Sequence, residues 1–189
     1  MSEKIIEVNN LSKSYGDHLV LNDISFSLPK GEIIGLFGPN GCGKSTLMKI
    51  LTGLIHDYKG SVLINGNTPG DKTKSVTAYL PEQTFIHDWM RNIDAVDYFN
   101  DFFKDFDKNK AVEMLNRFSL PEKQKCKTMS KGMQEKLLLS LTMARNAELY
   151  ILDEPMGGVD PATRDSILKF IMENYSDKST MLISTHLIN

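Results

Sequence analysis

Apolar and polar residues alternate along a stretch near the start of the chain. Residues 24–28 read Ile-Ser-Phe-Ser-Leu, and a period of two is typical of a strand with one buried face. A second short apolar run, residues 61–64, leads into Asn65-Gly66, a pair suited to the positive φ angles of a tight hairpin turn. The pattern predicts an antiparallel sheet in this part of the chain.

Other runs are apolar without interruption. They comprise residues 33–37, residues 149–152 and, less clearly, residues 179–184. Continuous apolar runs are typical of strands that are buried on both faces, and each of these runs lies beside helical or polar sequence. We therefore expect an α/β fold, in which a mostly parallel sheet is flanked by helices.

The middle of the chain, residues 88–127, is richer in charged residues and helix formers. Its aromatic residues recur at steps of three and four, which predicts a single aromatic helix face that packs into a core. These residues are Tyr98, Phe99, Phe102, Phe103 and Phe106.

Composition narrows the class of protein. The chain has 189 residues, of which 41% are hydrophobic and 24% charged, as in an ordinary globular domain rather than a disordered or disulfide-packed chain. The net charge of −2 argues against a nucleic-acid partner, because proteins that bind nucleic acid usually carry a basic surface. Two cysteines fit a reducing compartment. No run approaches the roughly 18 apolar residues of a membrane span, so we expect a cytoplasmic domain.

A phosphate-binding loop is the strongest chemical signal. Glycine, four residues and then Gly-Lys-Ser form the P-loop spacing, in which backbone N–H groups surround an anion. An apolar strand precedes the loop and an apolar helix pattern follows it, so a glycine-rich structural turn is the weaker interpretation. Lys44 should reach the β- and γ-phosphates of a nucleotide, and Ser45 should bind Mg²⁺. The predicted phosphate-binding residues are Gly38, Asn40, Gly41, Cys42, Gly43, Lys44, Ser45 and Thr46.

Cys42 lies inside this loop. It is either a small residue that the loop tolerates or a reactive thiol close to Lys44 and the helix N-terminus.

Two acidic residues follow the apolar run 149–152. Ligands of open α/β sheets bind at the carboxyl ends of the strands, where a P-loop needs a metal ligand and a group that orients water. We expect Asp153 to hold Mg²⁺, through water, and Glu154 to act as general base. The alternative is a strand end with two solvated carboxylates.

At this point the sequence looks like the ATP-binding subunit of an ABC transporter over essentially its whole length. The resemblance implies an adenine-stacking aromatic at Tyr15 and a Q-loop glutamine at Gln83 that touches Mg²⁺ and water. It further implies a D-loop aspartate at Asp160 and a switch histidine at His186 that contacts the γ-phosphate. The matches follow the family order along the chain.

Each of these four matches has an alternative interpretation. Tyr15 could be an ordinary surface or core aromatic, and Gln83 a polar loop residue. Asp160 precedes Pro161 and could cap a helix, alone or in addition to a D-loop role. His186 could be a buried histidine with satisfied hydrogen bonds.

The segment at the family's signature position, residues 129–133, departs from the usual Leu-Ser-Gly-Gly-Gln. Lys131 replaces the first glycine and Met133 the glutamine. By the resemblance, Ser130 and Gly132 contact the γ-phosphate of ATP held by the opposite subunit, and the variant is similar to exporter-type members. A helix over residues 134–144 should follow, with Leu137, Leu138, Leu141 and Ala144 inward. The alternative is a loop before a helix without any contact to a second subunit.

Together these features imply one ABC ATP-binding domain over residues 1–189. It would have a P-loop NTPase core of mostly parallel sheet, an N-terminal antiparallel β subdomain and an inserted helical subdomain at about residues 86–131.

The implied function is ATP hydrolysis with Mg²⁺ that drives transport, in the export direction, through an integral membrane permease. A second ATP-binding subunit completes the dimer at the cytoplasmic face of the membrane, and part of the aromatic face could receive a helix of the permease.

Two other classes of protein remain as alternatives. One is a soluble ABC-type ATPase that acts in translation or on DNA, and the other is a P-loop kinase. Family members usually continue for several tens of residues past the switch histidine, so the resemblance also implies a longer domain than this chain.

Overall fold

The structure, a computed structural model, describes residues 3–83 and 85–186. Its strands are β1 (Lys4–Tyr15), β2 (His18–Pro29), β3 (Ile33–Phe37), β4 (Lys59–Ile64), β5 (Thr77–Leu80), β6 (Leu149–Leu152) and β7 (Thr180–Thr185). Its α-helices are α1 (Lys44–Leu51), α2 (Asp71–Lys74), α3 (Asn92–Phe102), α4 (Lys108–Arg117), α5 (Lys131–Met143) and α6 (Pro161–Asn174). No helix within these described ranges is long and apolar enough to cross a membrane.

Three strands form the predicted antiparallel sheet, in the order β2-β1-β4. The alternating run 24–28 lies in β2, and the run 61–64 ends β4. Asn65 and Gly66 then turn the chain with φ values of 47° and 73°. Such positive values are those of a type I′ turn, which Asn-Gly favours.

A second sheet is parallel, in the order β3-β7-β6-β5. Its strands β3, β6 and β7 are the three continuous apolar runs, whereas β5 has no counterpart among the predicted strands. The prediction that all three runs are buried on both faces is wrong for β3. That strand lies at the edge of the sheet, and Phe37 at its end is 60% exposed.

The parallel sheet separates two apolar cores. On one face, Leu149 and Ile151 pack with α1 and the antiparallel sheet. On the other face, Tyr150 and Leu152 pack with the helices of the middle region. Because successive side chains of a strand point to opposite faces, β6 needs an apolar residue at every position.

The aromatic residues of the middle region do not share one face. Helix α3 ends at Phe102, and Phe103 has extended backbone angles, so the helical period stops before the last two members of the set. Phe99 and Phe106 are buried. Tyr98 and Phe102 are 50% and 69% exposed, so the prediction of a single core-packing face is wrong.

Two helix boundaries differ from the sequence pattern, in which Leu47, Ile50, Leu51 and Leu54 recur as one apolar helix face after the phosphate loop. Helix α1 ends at Leu51, and Gly53 follows with a φ of 69°, which is the left-handed conformation common after helix ends. Leu54 therefore lies outside the helix and is exposed. Helix α5 begins at Lys131 rather than at residue 134, and the four residues expected to face inward are buried.

Candidate functional site

The glycine-rich loop connects β3 to α1 and closes around a lysine. The Lys44 side chain is buried, and its Nζ donates hydrogen bonds to the carbonyl oxygens of Gly38, at 2.8 Å, and Pro39, at 3.1 Å. The loop thus positions the ammonium group at the start of α1, where the helix dipole also favours an anion. Asn40, Gly41 and Cys42 are exposed at the tip of the loop, and Ser45 and Thr46 are partly buried in the first turn of α1.

Gly43 is required by both space and conformation. Its φ is 97°, a value that side chains rarely adopt. A Cβ atom there would lie 2.8 Å from Cδ2 of Leu21 and 3.2 Å from the carbonyl oxygen of Val20. The antiparallel sheet therefore lies close to the loop at this position, and the positive φ and the limited space both favour glycine.

The acidic pair lies at the carboxyl end of β6, as the sequence predicts, but in a buried setting. Asp153 is 1% exposed, and its Oδ1 accepts a hydrogen bond of 2.7 Å from the Ser184 hydroxyl. Its Oδ2 is buried and makes no hydrogen bond within the part of the chain that the structure describes. Burial and, next, the negative charge of Asp153 raise the pKa of Tyr79 above its usual range.

Glu154 joins three segments of the chain. Its Oε1 lies 3.3 Å from Nζ of Lys44, and its Oε2 lies 2.9 Å from Nδ1 of His186. The residue has a φ of 50°, and its backbone N–H donates to the Ser184 hydroxyl at 2.9 Å. The structure thus brings the P-loop lysine, the second carboxylate and the histidine together. The interpretation of two solvated carboxylates is excluded, because Asp153 is 1% exposed and the Glu154 side chain 9%. The interpretation of a buried histidine is excluded, because the His186 side chain is 35% exposed.

Sequence reasoning missed Ser184. The residue is a hydroxyl within the apolar run 179–184, two positions before His186. A polar residue in a strand that is otherwise buried is the signal that could have identified it.

A cavity of about 580 Å³ opens beside this cluster. Residues of the loop and strand ends line one part of it, and residues of α5 and of the segment before α6 line the other. The lining residues that bear on the site are Asn40, Gln83, Lys131, Glu135, Glu154, Gly158 and His186. Gln83 thus shares a cavity with Glu154 and His186, and its Q-loop role toward Mg²⁺ and water stays a prediction.

Glu135 is one of the acidic residues that line this cavity. Its Oε2 is buried without a hydrogen-bond partner in the described ranges. Burial raises the pKa of Glu135 to about 7, against the opposing effect of Lys131, whose Nζ lies 3.9 Å from Oε1.

The signature segment begins helix α5. Ser130 is the N-cap, and its hydroxyl accepts a hydrogen bond of 3.2 Å from the backbone N–H of Met133. Gly132 packs on α6, since a Cβ atom there would lie 3.2 Å from Cγ2 of Thr163. The capping role of Ser130 belongs to its own chain, whereas a contact with a second subunit stays a prediction.

Tyr15 and Asp160 lie apart from the cluster. Asp160 caps α6 by accepting a hydrogen bond of 3.0 Å from the backbone N–H of Thr163. Hydrogen bonds from the side chain and, next, the backbone of Thr163 lower the pKa of Asp160. Tyr15 is half exposed, and Nζ of Lys13 lies 4.8 Å from its ring centre. Within the described ranges no contact joins Tyr15, Ser130 or Asp160 to Glu154, so their roles toward a nucleotide stay predictions.

The family model described as ABC transporter matches residues 21–157. The chain belongs to the ABC transporter family. The ATP-binding domains of this family are ATPases that drive transport, so the resemblance and the reaction class inferred from the motifs are confirmed.

Curated relatives agree with this assignment. The chain is 34% identical over 185 residues to the ABC transporter ATP-binding protein YtrB of Bacillus subtilis, covering 96% of this chain but 63% of YtrB. It is 31% identical over 189 residues to the lantibiotic transport ATP-binding protein SrtF of Streptococcus pyogenes, covering 98% of this chain and 81% of SrtF. It is 32% identical over 190 residues to the SkfA peptide export ATP-binding protein SkfE of Bacillus subtilis, covering 97% and 79%.

A solved structure described as an ABC transporter ATP-binding protein from Pyrococcus furiosus has the same fold. It superimposes with a TM-score of 0.84 at 29% sequence identity, covering 97% of this chain and 92% of that one. The predicted fold class, a P-loop NTPase core of mostly parallel sheet with an antiparallel β subdomain, is therefore confirmed. Neither the curated relatives nor the solved structure favours the alternative of a soluble ABC-type ATPase that acts in translation or on DNA.

Proposed function

We propose that the chain binds ATP with Mg²⁺, hydrolyses it as one half of a dimer, and drives export through a membrane permease. The observation that carries the proposal is the position of Glu154, one oxygen of which lies 3.3 Å from Lys44 and the other 2.9 Å from His186. A carboxylate between a phosphate-binding lysine and an imidazole is placed to accept a proton from water near a γ-phosphate.

Each side chain then has a distinct part in hydrolysis. The loop amides and Lys44 bind the phosphates, and Glu154 takes a proton from the attacking water. His186 contacts Oε2 of Glu154 and holds that side chain in position. Its imidazole also stabilises the negative charge that develops on the phosphate. Burial of Lys44 and Glu154 strengthens these interactions because the local dielectric constant is low.

The residues of the site fit Mg²⁺, which would neutralise phosphate charge. Asp153 provides a buried carboxylate oxygen that makes no hydrogen bond in the described ranges, and Mg²⁺ prefers such hard oxygen ligands. The Ser45 hydroxyl and the Gln83 side-chain oxygen would be the other ligands from the chain.

The dimer supplies the remaining contacts to ATP. Ser130 is exposed at the N-terminus of α5, where the helix dipole favours a phosphate. In our proposal Ser130 and Gly132 bind the γ-phosphate held by a second ATP-binding subunit, Asp160 lies at the dimer interface, and Tyr15 stacks on adenine. The half-exposed ring of Tyr15 is accessible for that contact.

An apolar groove supports the membrane partner. A cavity of about 490 Å³ lies between the parallel sheet and the middle helices, lined by Leu54, Tyr79, Phe85, Tyr98, Phe99 and Phe102 among others. Four of these side chains are large, apolar and exposed, namely Leu54, Phe85, Tyr98 and Phe102. A groove of this kind accepts the apolar face of a partner helix, and we assign it to a cytoplasmic helix of the permease.

The export direction rests on the signature variant and on relatives. SrtF is described as a lantibiotic transport protein and SkfE as a peptide export protein. We extend export, and peptides as the substrate class, to the complex of which this chain is a part.

The hydrolysis step is tested by Glu154→Gln. We expect turnover of ATP to fall by roughly 10²- to 10⁴-fold, the usual contribution of a general base, while ATP affinity is kept and a nucleotide-bound dimer accumulates. Phosphate release, nucleotide binding and size-exclusion chromatography measure the three effects. Glu113→Gln, at an exposed position of α4, is the matched control, and unchanged turnover in Glu154→Gln would exclude Glu154 as the base.

The partner is tested by purification from membranes. Phe102→Glu places a charge in the groove at an exposed position, so we expect it to remove a multi-span partner while leaving ATP hydrolysis by the isolated chain intact. Met172→Glu, on exposed apolar surface of α6, is the control and should retain the partner. Loss of the partner in both variants, or in neither, would contradict the assignment of the groove.

A further inference from the structure

Ser184 links the two acidic residues of the site. It lies in β7, is fully buried, and its hydroxyl takes part in two hydrogen bonds at once. The hydroxyl donates to Oδ1 of Asp153 at 2.7 Å and accepts from the backbone N–H of Glu154 at 2.9 Å. One side chain of a neighbouring strand therefore contacts both residues that the reaction uses.

We propose that Ser184 is a positioning residue that presents Oδ2 of Asp153 to the metal and directs the Glu154 side chain toward Lys44 and His186. This inference rests on the proposed hydrolysis of MgATP.

The direction of the hydrogen bonds follows from the chemistry of the groups. A hydroxyl has one proton to donate and lone pairs to accept with. An ionised carboxylate only accepts, and a backbone N–H only donates, so the Ser184 proton must point to Asp153. With Oδ1 occupied in this way, Oδ2 is the oxygen left without a hydrogen bond in the described ranges. Second-layer hydrogen bonds of this kind orient metal-binding carboxylates in general.

The bond to Glu154 has a separate effect. Glu154 has a φ of 50°, a left-handed conformation that is unfavourable for a residue with a side chain. The hydrogen bond from the backbone N–H of Glu154 to the Ser184 hydroxyl stabilises this unfavourable conformation. In that conformation the two carboxylate oxygens lie 3.3 Å from Lys44 and 2.9 Å from His186. Through these two hydrogen bonds Ser184 fixes the positions of Glu154, the base, and Asp153, the metal ligand, relative to each other.

A merely structural role is the alternative, since any buried serine satisfies polar neighbours. Ser140 is the matched case within the chain. It too is fully buried, and its hydroxyl donates a hydrogen bond of 2.8 Å to the carbonyl oxygen of Lys136 within α5. Removal of either hydroxyl should lower stability, but only removal of the Ser184 hydroxyl should change the response to the metal.

The test compares Ser184→Ala with Ser140→Ala, both in the Glu154→Gln background so that nucleotide is not consumed. A fluorescent ATP analogue is titrated in EDTA and then at increasing Mg²⁺. We expect Ser184→Ala to raise the Mg²⁺ concentration for half-maximal tight binding by roughly 10- to 100-fold, the usual effect of losing such a partner. Binding in EDTA should change by less than about twofold, as the phosphate loop is not altered. Ser140→Ala should shift neither value.

A second pair of variants separates the hydroxyl from the fold. Ser184→Thr keeps the hydroxyl and Ser184→Val replaces it with a methyl group of the same size, so any packing strain is common to both. We expect Thr to restore the Mg²⁺ response and Val to resemble Ala. Equal Mg²⁺ responses in Thr and Val, or in Ser184→Ala and Ser140→Ala, would overturn the inference.

The same titration distinguishes this inference from the proposed function. If the chain with native Ser184 binds the analogue without any Mg²⁺ dependence, the proposed MgATP site is wrong and the inference fails with it. If the native chain responds to Mg²⁺ and Ser184→Ala responds equally, only the inference fails.

Discussion

At the scale of single residues, the site depends on charged groups that are withdrawn from water. Lys44 and Glu154 are buried and paired, and Asp153 is buried against Ser184. Glu135 differs from these in its partner, because its Oε1 lies 3.9 Å from Nζ of the exposed Lys131 and its Oε2 is buried without a hydrogen bond in the described ranges. Its ionised form is therefore weakly compensated for the loss of water.

Glu135→Gln should change how stability depends on pH. Burial raises the pKa of Glu135 from an ordinary 4.5 to about 7, so the folded chain binds more protons than the unfolded chain between these values. Stability should fall as pH rises from about 4.5 to 7 in the native chain, and the fall should be smaller in Glu135→Gln. Above pH 7 the variant should be the more stable of the two. Urea unfolding at several pH values measures the difference.

Other charged residues line the same cavity, so the experiment needs a control for their contribution to the pH dependence. Lys131 lies on the same helix, and Glu82, Glu154 and His186 also line the cavity. His186→Gln removes an imidazole that lines the same cavity, so the double variant separates the contributions of the two side chains. If Glu135→Gln follows the pH profile of the native chain, the carboxyl group ionises in the folded chain much as in water.

At the scale of elements, side-chain caps begin three of the helices. Asp107, Ser130 and Asp160 each accept a hydrogen bond from a backbone N–H in the first turn of α4, α5 and α6. Two of these caps, Ser130 and Asp160, are also family motif positions. A cap and a contact to a second subunit use the same exposed helix start, so the two interpretations of these residues are compatible.

Asp160→Ala should destabilise the fold, because it removes the N-cap of α6. Hydrogen bonds from Thr163 lower the pKa of Asp160 below its ordinary 3.8. The cap therefore contributes fully above that value and is lost as pH falls through the lower pKa of the folded chain. Thermal unfolding at pH 7 and at pH 3 measures both effects. Asp165→Ala, at an exposed position of the same helix, should change little, and an equal loss in both variants would exclude a capping effect.

At the scale of the whole molecule, one arginine ties the middle helices to the parallel sheet. Arg145 is buried, forms an ion pair with Asp105 at 3.0 Å, and donates a hydrogen bond of 2.8 Å to the carbonyl oxygen of Thr77. Its guanidinium lies 4.1 Å from the ring centre of Phe103. Asp105 and Phe103 belong to the segment between α3 and α4, whereas Thr77 begins β5.

Arg145→Ala should cost about 3–5 kcal/mol, because it leaves a carboxylate and a carbonyl group without their buried partner. Chemical denaturation measures this loss. Arg91→Ala breaks an exposed ion pair, in which the side chains of Arg91 and Asp94 are 47% and 27% exposed, and should cost much less stability than Arg145→Ala. Similar losses in the two variants would show that Arg145 is not the link between the two parts.

Local pattern and motif were enough for much of this protein. The alternation in 24–28, the continuous apolar runs and the P-loop spacing placed β2, β3, β6, β7 and the phosphate loop, because these depend on side-chain periodicity and on glycine conformations. The family followed from the motif order and was confirmed by the match over residues 21–157. The boundaries of the helical subdomain, about residues 86–131, and the roles of the individual site residues stay predictions.

Tertiary structure decided what periodicity leaves open. Only the packing of the middle helices shows that Phe99 is buried while Phe102 of the same helix is exposed, and only the edge position of β3 exposes Phe37. The contacts of Glu154 with Lys44 and His186, and the bridge through Ser184, join residues about 30 to 110 positions apart. Spacing along the chain carries no information about such distances, since they arise when parallel strands bring their carboxyl ends to one edge of the sheet.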